Sequence, residues 1–463
     1  VLRSFVAHAS VALALLGCAS ASDKTAPIRT ALDAGKPQEA LTLLNDKLEV
    51  KSADTLPKEI KGDTSLLLLD RAMVLQSLAQ YPLSSRDLEI SDKNIEVLDL
   101  SRNALDDIGK YIYSDSAGRY KAPAYEKLMI NTMNMVNYLV RGDLNGARIE
   151  ARRLAVMQQF IERSEGKGRG LLGLGSYLAG FTFEKSGNAD EALHYYDEAL
   201  AYANYPSLAE PIRRLAALSS YRTPRLRQIL GEGEGAPAAN APPAADAPAA
   251  DAPTSTDDAA ELLVIIGYGR VPAKIAKRVP IGLALTYASF FMSPANVTQA
   301  NRLAAQGLVT WVNYPELGQP HLSRVEPRLF VDQKPQALDG VLAVDVEARR
   351  AWDEAKGQVM AAAITRTITR VLAGYAAGAA VKGASKDEGL GVLVALATQA
   401  TLTAVDTPDT RSWEALPARI AIARIRLPPG THVVSMSASG AQTQRNVALV
   451  ANGFAATALT VLR

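Results

Sequence analysis

Histidine, cysteine and paired carboxylates build most catalytic and metal centres, and this sequence brings few of them together. It has four histidines, His8, His194, His321 and His432, no two of them close, and one cysteine, Cys18. A disulfide framework, an iron–sulfur cluster and a zinc site with two or more thiolates are excluded. Neither His-x-x-x-His nor His-Glu-x-x-His occurs to hold a metal. Asp353 and Glu354 are sequence neighbours, so on a helix they point to different faces and form no convergent acid pair. There is no Gly-x-Ser-x-Gly elbow and no Gly-x-x-x-x-Gly-Lys-Ser/Thr loop. Gly173-x-Gly175 opens a helical stretch without a preceding strand, so close helix packing explains it better than a dinucleotide site. The most suggestive polar cluster is Asp409, Arg411 and Trp413. It reads two ways: a partner site, with arginine pairing an anion and tryptophan stacking, or a loop tied down by an Asp–Arg pair with Trp413 plugging the core. The second reading is the simpler. No catalytic residue, metal ligand or cofactor is expected, and no nucleic acid.

The one cysteine has a different chemistry open to it. Residues 1–18 run VLRSFVAHASVALALLGC, with Arg3 ahead of a short apolar run. The run is too short to span a bilayer comfortably, which takes about 20 residues, and fits a signal peptide. Leu15-Leu16-Gly17-Cys18 resembles the bacterial lipobox, in which the cysteine is acylated and becomes the first residue. Acylation with several chains anchors a protein stably. Ala19 stands where an aspartate would signal inner-membrane retention, so the resemblance implies the outer membrane, facing the periplasm. Val1 reads as an alternative start codon translated literally.

The remaining elements must do the positioning. The chain has 463 residues, 48% hydrophobic and 21% charged, which is globular composition with room for two or three domains. Residues 19–230 carry apolar residues at helical spacing with little proline. With Gly187 as the turn of a tetratricopeptide repeat, Gly180 and Phe183 take the small and aromatic positions of the first helix. Ala192, Tyr196 and Ala199 take the small, aromatic and small positions of the second, and Pro206 follows close to the usual closing proline. Gly35 and Gly142 mark weaker copies, and Leu66 to Gln80 a further first helix. The turns are not multiples of 34 apart, so the spacing predicts an irregular solenoid of three to five helix pairs. Residues 231–260, almost entirely Ala, Pro, Gly and Asp, read as a disordered linker.

Residues 261–463 change character. Leu262 to Ile266 followed by Gly267-Tyr268-Gly269 suggests a hairpin-like start. Leu308 to Tyr314 and Arg328 to Asp332 are strand candidates, Val346 to Val381 is a long helix, and Gly389 to Val405 an uncharged one. Arg419 to Leu427 alternates strictly. Val433 to Met436, Asn446 to Val450 and Ala455 to Leu462 follow, with Asn452-Gly453 as a hairpin turn. The expected fold class is α plus α+β: a tetratricopeptide-like helical solenoid, then an α+β domain with antiparallel strands. Charge divides along the same line. Residues 262–463 hold 21 basic against 13 acidic side chains, and the rest holds 29 against 35. A basic domain favours anionic partners.

Several segments resemble a family of uncharacterised bacterial lipoproteins with helical repeats. They are Asp409 to Ile420 with Ala423-Arg424 and Leu427 to Thr431; Tyr120 to Lys127 with Tyr138 to Arg153; and Gly267 to Lys274. The resemblance implies an envelope lipoprotein and no established activity. Three roles follow as expectations: a scaffold docking other envelope proteins, including outer-membrane lipoproteins; a homo-oligomeric export or channel component; or a protein held on peptidoglycan.

Overall fold

The computed structural model describes residues 20–60, 63–97, 120–165, 172–232, 258–309, 311–323, 325–385 and 407–463. Cys18 with its apolar run, nearly all of the 231–260 tract and Gly389 to Val405 lie outside these residues.

Eight helices form four hairpins in chain order: α1 (Ala21–Asp33) with α2 (Pro37–Lys47), α3 (Thr64–Ser77) with α4 (Tyr81–Asn94), α5 (Ala124–Val140) with α6 (Leu144–Glu165), and α7 (Leu172–Lys185) with α8 (Ala189–Tyr202). Successive hairpins pack on one another. Each first helix ends in the same left-handed turn. The residue at positive φ is Gly35, Ala79, Gly142 or Gly187. The next amide donates to the carbonyl five residues back: Lys36 to Ala31, Gln80 to Leu75, Asp143 to Tyr138 and Asn188 to Phe183, at 2.8–2.9 Å. This satisfies carbonyls that the helix end would leave bare. Five residues beyond each turn stands a small buried residue (Ala40, Ser84, Ala147, Ala192), and nine beyond a buried packing residue (Leu44, Leu88, Ala151, Tyr196). The turns are 44, 63 and 45 residues apart.

Three of the turns use glycine, which has no side chain to clash at positive φ. The fourth uses Ala79 at φ 58°. A left-handed alanine costs about 1–2 kcal/mol, partly offset by the extra freedom glycine gives the unfolded chain. Ala79→Gly is therefore expected to raise stability by about 0.5–1 kcal/mol, read as a higher urea midpoint at unchanged slope. Gly187→Ala should do the reverse.

Two short helices, α9 (Ala209–Ala216) and α10 (Pro224–Leu230), close the helical part. The C-terminal part holds two four-stranded sheets. Its strands are β1 (Ala260–Tyr268), β2 (Lys274–Pro280), β3 (Trp311–Leu317), β4 (Arg328–Val331), β5 (Lys334–Gln336), β6 (Asp339–Ala343), β7 (Arg419–Leu427), β8 (Gly430–Ala438), β9 (Ala441–Leu449) and β10 (Phe454–Val461). The first sheet has the order β10-β1-β7-β6 and the second β9-β8-β4-β5. β1 runs parallel to β10 and antiparallel to β7. It is buried along its whole length because both faces are covered. Leu262, Val264 and Ile266 pack with Val434 and Met436 of the second sheet. Leu263 and Ile265 share a core with the helices. The order of layers is helical hairpins, first sheet, second sheet.

Two expected hairpins are not formed. β1 does not pair with β2 after Gly267-Tyr268-Gly269; β2 pairs with β3 to make a separate ribbon. The chain leaves β1 at Gly269 (φ 67°), and Arg270 bridges to His321. Nor does Asn452-Gly453 join paired strands: β9 belongs to the second sheet and β10 to the first, so that turn is a crossover. The tight hairpin is one strand earlier, between β8 and β9, where Ser439 and Gly440 both have positive φ.

The ribbon β2–β3, helix α11 (Ile281–Ala288), α12 (Pro294–Ala305) and the middle of α13 (Val344–Ser385) form a lobe with its own core around Ile281, Leu285, Val312, Ile364 and Ile368. The helical hairpins and the first sheet instead share a single core. The compositional boundary at 231–260 is therefore no boundary of packing. Opposite charges meet across that contact as Asp33–Arg270, Asp63–Arg411, Glu184–Arg424 and Glu210–Arg426. Part of the charge asymmetry that suggested anionic partners is thus consumed inside the molecule.

Candidate functional site

The residues singled out as repeat positions lie where α7 meets α8. A Cβ on Gly180 would run into the Tyr196 ring, so glycine there lets α7 and α8 touch. Phe183 stacks on Tyr195 at 5.4 Å. Ala192 and Ala199 are buried. The Tyr196 hydroxyl donates to Glu184 at 2.6 Å. Gly175 abuts α5, where a Cβ would come within 3.0 Å of Thr132 Oγ1, so Gly173-x-Gly175 serves close packing.

The first helices of the hairpins, α1, α3, α5 and α7, face the C-terminal part. α3 and α5 are buried nearly all round. Polar residues on such helices need partners, because an unsatisfied buried polar group is costly. Several find them inside the array, as Arg71 with Asp87 and Asn131 with Glu150; Asp70 and Glu126, with Ser22 and Arg29 of α1, meet a segment of the same chain, residues 409–416. The Ser22 amide donates to Thr410 Oγ1 at 3.0 Å. Arg29 of α1 pairs with Glu414 at 2.6 Å. Asp70 of α3 accepts from the Ala415 amide at 2.8 Å, and Glu126 of α5 from the Trp413 amide at 3.2 Å. Arg411 reaches Asp63 at the start of α3 at 3.1 Å and lies over the Tyr120 ring. It also holds Asp409 through two nitrogens at 2.7 and 2.8 Å, the planar fork that suits arginine. Trp413 is wholly buried in the shared core. Asp409, Arg411 and Trp413 are thus brought together in one clamp, in which three hairpins hold a single non-helical segment through two of its backbone amides and through the side chains of Thr410, Arg411 and Glu414.

Sequence reasoning missed the acids of this clamp. The available signal was an adjacent acid–base pair within an apolar helix: Asp70-Arg71 in LLLLDRAMV and Glu126-Lys127 in AYEKLMI. Burial lifts Asp70 well above the carboxylate range, and Glu414 nearby adds to it. Burial also raises Glu126, against the Tyr120 hydroxyl that donates to it, and Glu414, against Arg29. All three ionise less readily folded than unfolded. Above the unfolded value of about 4 their ionisation opposes folding, so this contribution weakens stability as pH rises from about 4 toward neutrality. Asp70→Asn keeps an acceptor for the Ala415 amide and removes the charge. It is expected to be more stable than wild type at pH 7, with the difference vanishing near pH 4 in urea titrations. Equal destabilisation at both pH values would contradict it.

A second network joins the fourth hairpin to β1 and β7. Arg424, nearly buried, contacts Glu261 at 2.5 Å, Glu184 at 2.6 Å and the Tyr196 hydroxyl at 2.9 Å. Its guanidinium lies 5.0 Å over Phe181. Lys185 and Arg214 also reach Glu261, at 2.8 and 2.6 Å. Burial would push Glu261 up, but Arg424, Lys185 and Arg214 outweigh it and hold it down at about 2.

On α6, Ile149 and Val156 are 52% and 69% exposed, one above the other at seven-residue spacing, among Arg148, Arg152 and Arg153. Asp353 and Glu354 are exposed on α13. Among the described residues no group of histidine, cysteine or acid side chains is arranged to hold a metal ion. None of the described helices is long and apolar enough to cross a membrane. No protein-family model matches the chain, and neither a curated protein nor a solved structure matches it.

Proposed function

We propose that this chain is a lipid-anchored envelope protein that works by binding, as a tetratricopeptide-type scaffold, and not by catalysis. The observation that carries the reading is the clamp: stacked helical hairpins hold a non-helical segment through buried acids on two of its backbone amides and through its own side chains. Helical-repeat arrays use their stacked faces to hold partners. Here the face made by the first helices is covered by the first sheet and by the protein's own residues 409–416, so the surface assigned to partners is on the second helices, around Ile149 and Val156 on α6. Solvent-facing apolar residues rimmed by arginines suit a protein partner. The Leu15 to Cys18 sequence, with Ala19 after it, supports acylation and an outer-membrane location facing the periplasm. Ser20 caps α1 two residues later, so an anchor on Cys18 would hold the array close to the bilayer.

The test is affinity purification of the tagged full-length protein from crosslinked envelopes. It is run beside Cys18→Ala and beside Ile149→Asp with Val156→Asp. A stoichiometric envelope protein recovered with wild type and lost with the α6 variant is the expected result. Recovery of the same partner with the α6 variant would refute the assigned surface. Retention on purified sacculi, without any protein partner, would move the assignment to peptidoglycan.

A further inference from the structure

Helix α11 is apolar on both sides, a pattern that ordinarily means burial all round. Only one side is buried: Ile281, Ala284, Leu285 and Ala288 enter the lobe core. The other side carries Leu283 at 50% exposure and Tyr287 at 48%, and the turn after it carries Phe290 at 94%. The three follow each other at four and three residues, one stripe along the helix. Trp311 is 53% exposed and sits opposite Pro280 in the ribbon, where β2 leads into α11. Exposed aromatic and aliphatic residues grouped in this way mark a surface that meets something apolar.

The charges beside the stripe say what that is. From Lys274 to Pro315, which covers β2, α11, α12 and most of β3, the sequence has no aspartate or glutamate, while it has Lys274, Lys277, Arg278 and Arg302. Lys277 and Arg278 are exposed on β2, immediately before α11. Lys356 lies 5.0 Å over the Tyr287 ring and is neutralised by Glu316 at 3.4 Å. Tyrosine, tryptophan and phenylalanine beside uncompensated cations are the composition of surfaces that enter the interfacial zone of anionic bilayers.

We propose that this lobe docks on the surface of an anionic lipid bilayer, with Leu283, Tyr287 and Phe290 entering the interface and Arg278, on the same face of the ribbon as Trp311, meeting the headgroups. The contact is independent of any acyl anchor, so it is tested on unacylated residues 19–463, which keep the whole described fold.

The probe is a set of vesicles of phosphatidylcholine with or without 30% phosphatidylglycerol, read by flotation and by tryptophan emission. Of the three tryptophans, Trp352 and Trp413 are buried, so a blue shift on binding reports Trp311. The expected result is flotation with the anionic vesicles only, weakened by 0.5 M salt, with a blue shift that Trp311→Phe removes. Leu283→Ser with Phe290→Ser, both on the solvent side, should weaken binding by about tenfold or more while circular dichroism and urea midpoint stay as in wild type. Absence of binding to anionic vesicles would overturn the proposal, as would binding that the double variant leaves unchanged. So would dimerisation of wild type that the double variant abolishes, since the stripe would then be an interface between copies. None of these outcomes depends on the α6 surface or on Cys18.

Discussion

Trp413→Ala is expected to cost about 3–5 kcal/mol, the range for removing a fully buried aromatic side chain. Two features place it at the upper end. The indole belongs to the core that α3, α5 and the first sheet share, so the cavity cannot close by moving one element alone. The backbone at the same residue is pinned, its amide donating to Glu126 and the amide two residues on to Asp70. If the segment loosens, two buried carboxylates lose donors, and each unsatisfied group costs about 1–3 kcal/mol more. The loss should appear in probes of the helices and of the sheet together, as one transition at lower urea. A variant whose sheet signal melts early while the helices keep the wild-type midpoint would contradict the shared core.

Arg424→Met is expected to cost about 3 kcal/mol at pH 7, in the range for breaking a buried ion pair. It leaves Glu261 and Glu184 with only Lys185 and Arg214, which are more exposed. The pH dependence separates this loss from a simple packing defect. In wild type the folded pKa of Glu261 lies near 2, below its unfolded value. Such a group stabilises the fold fully above the unfolded pKa of about 4.3, and the contribution fades as pH falls toward 2. The gap between wild type and Arg424→Met should therefore be widest at neutral pH and narrow below pH 4. A gap of constant size from pH 7 to pH 3 would mean that the arginine acts through its packing on Phe181 alone.

The sequence made the local features readable and hid the distant ones. Gly35, Gly142 and Gly187 are visible as turns because only glycine is comfortable at positive φ, and the small residues that follow repeat with them. The second hairpin lacks this signal, because Ala79 fills the glycine position and Ser84 the alanine position. Strand positions were legible from alternation, as in Arg419 to Leu427, but their pairing was not. β1 lies between β10 and β7, which come from the far end of the chain, and nothing local to Leu262–Ile266 specifies that. Asn452-Gly453 carries a strong hairpin signal, yet β10 has buried residues on both faces and is satisfied only beside β1, covered by helices and second sheet. Of the clamp, the Asp409–Arg411 tie was readable as a short-range pair. Asp70, Glu126 and Arg29 were not, since each acts on a residue more than 280 positions away.

Residues 409–416 and the first sheet fill the face made by the first helices of the array, and the proposed partner and lipid surfaces lie elsewhere. Amide hydrogen exchange of the full chain at Trp413 and Ala415 tests this filling most directly. Both amides should exchange only through global unfolding, at the rate of the slowest amides of α3 and α5. Exchange at these two amides as fast as in an unstructured peptide, with the helices still protected, would mean that the groove empties by itself and is open to an external segment.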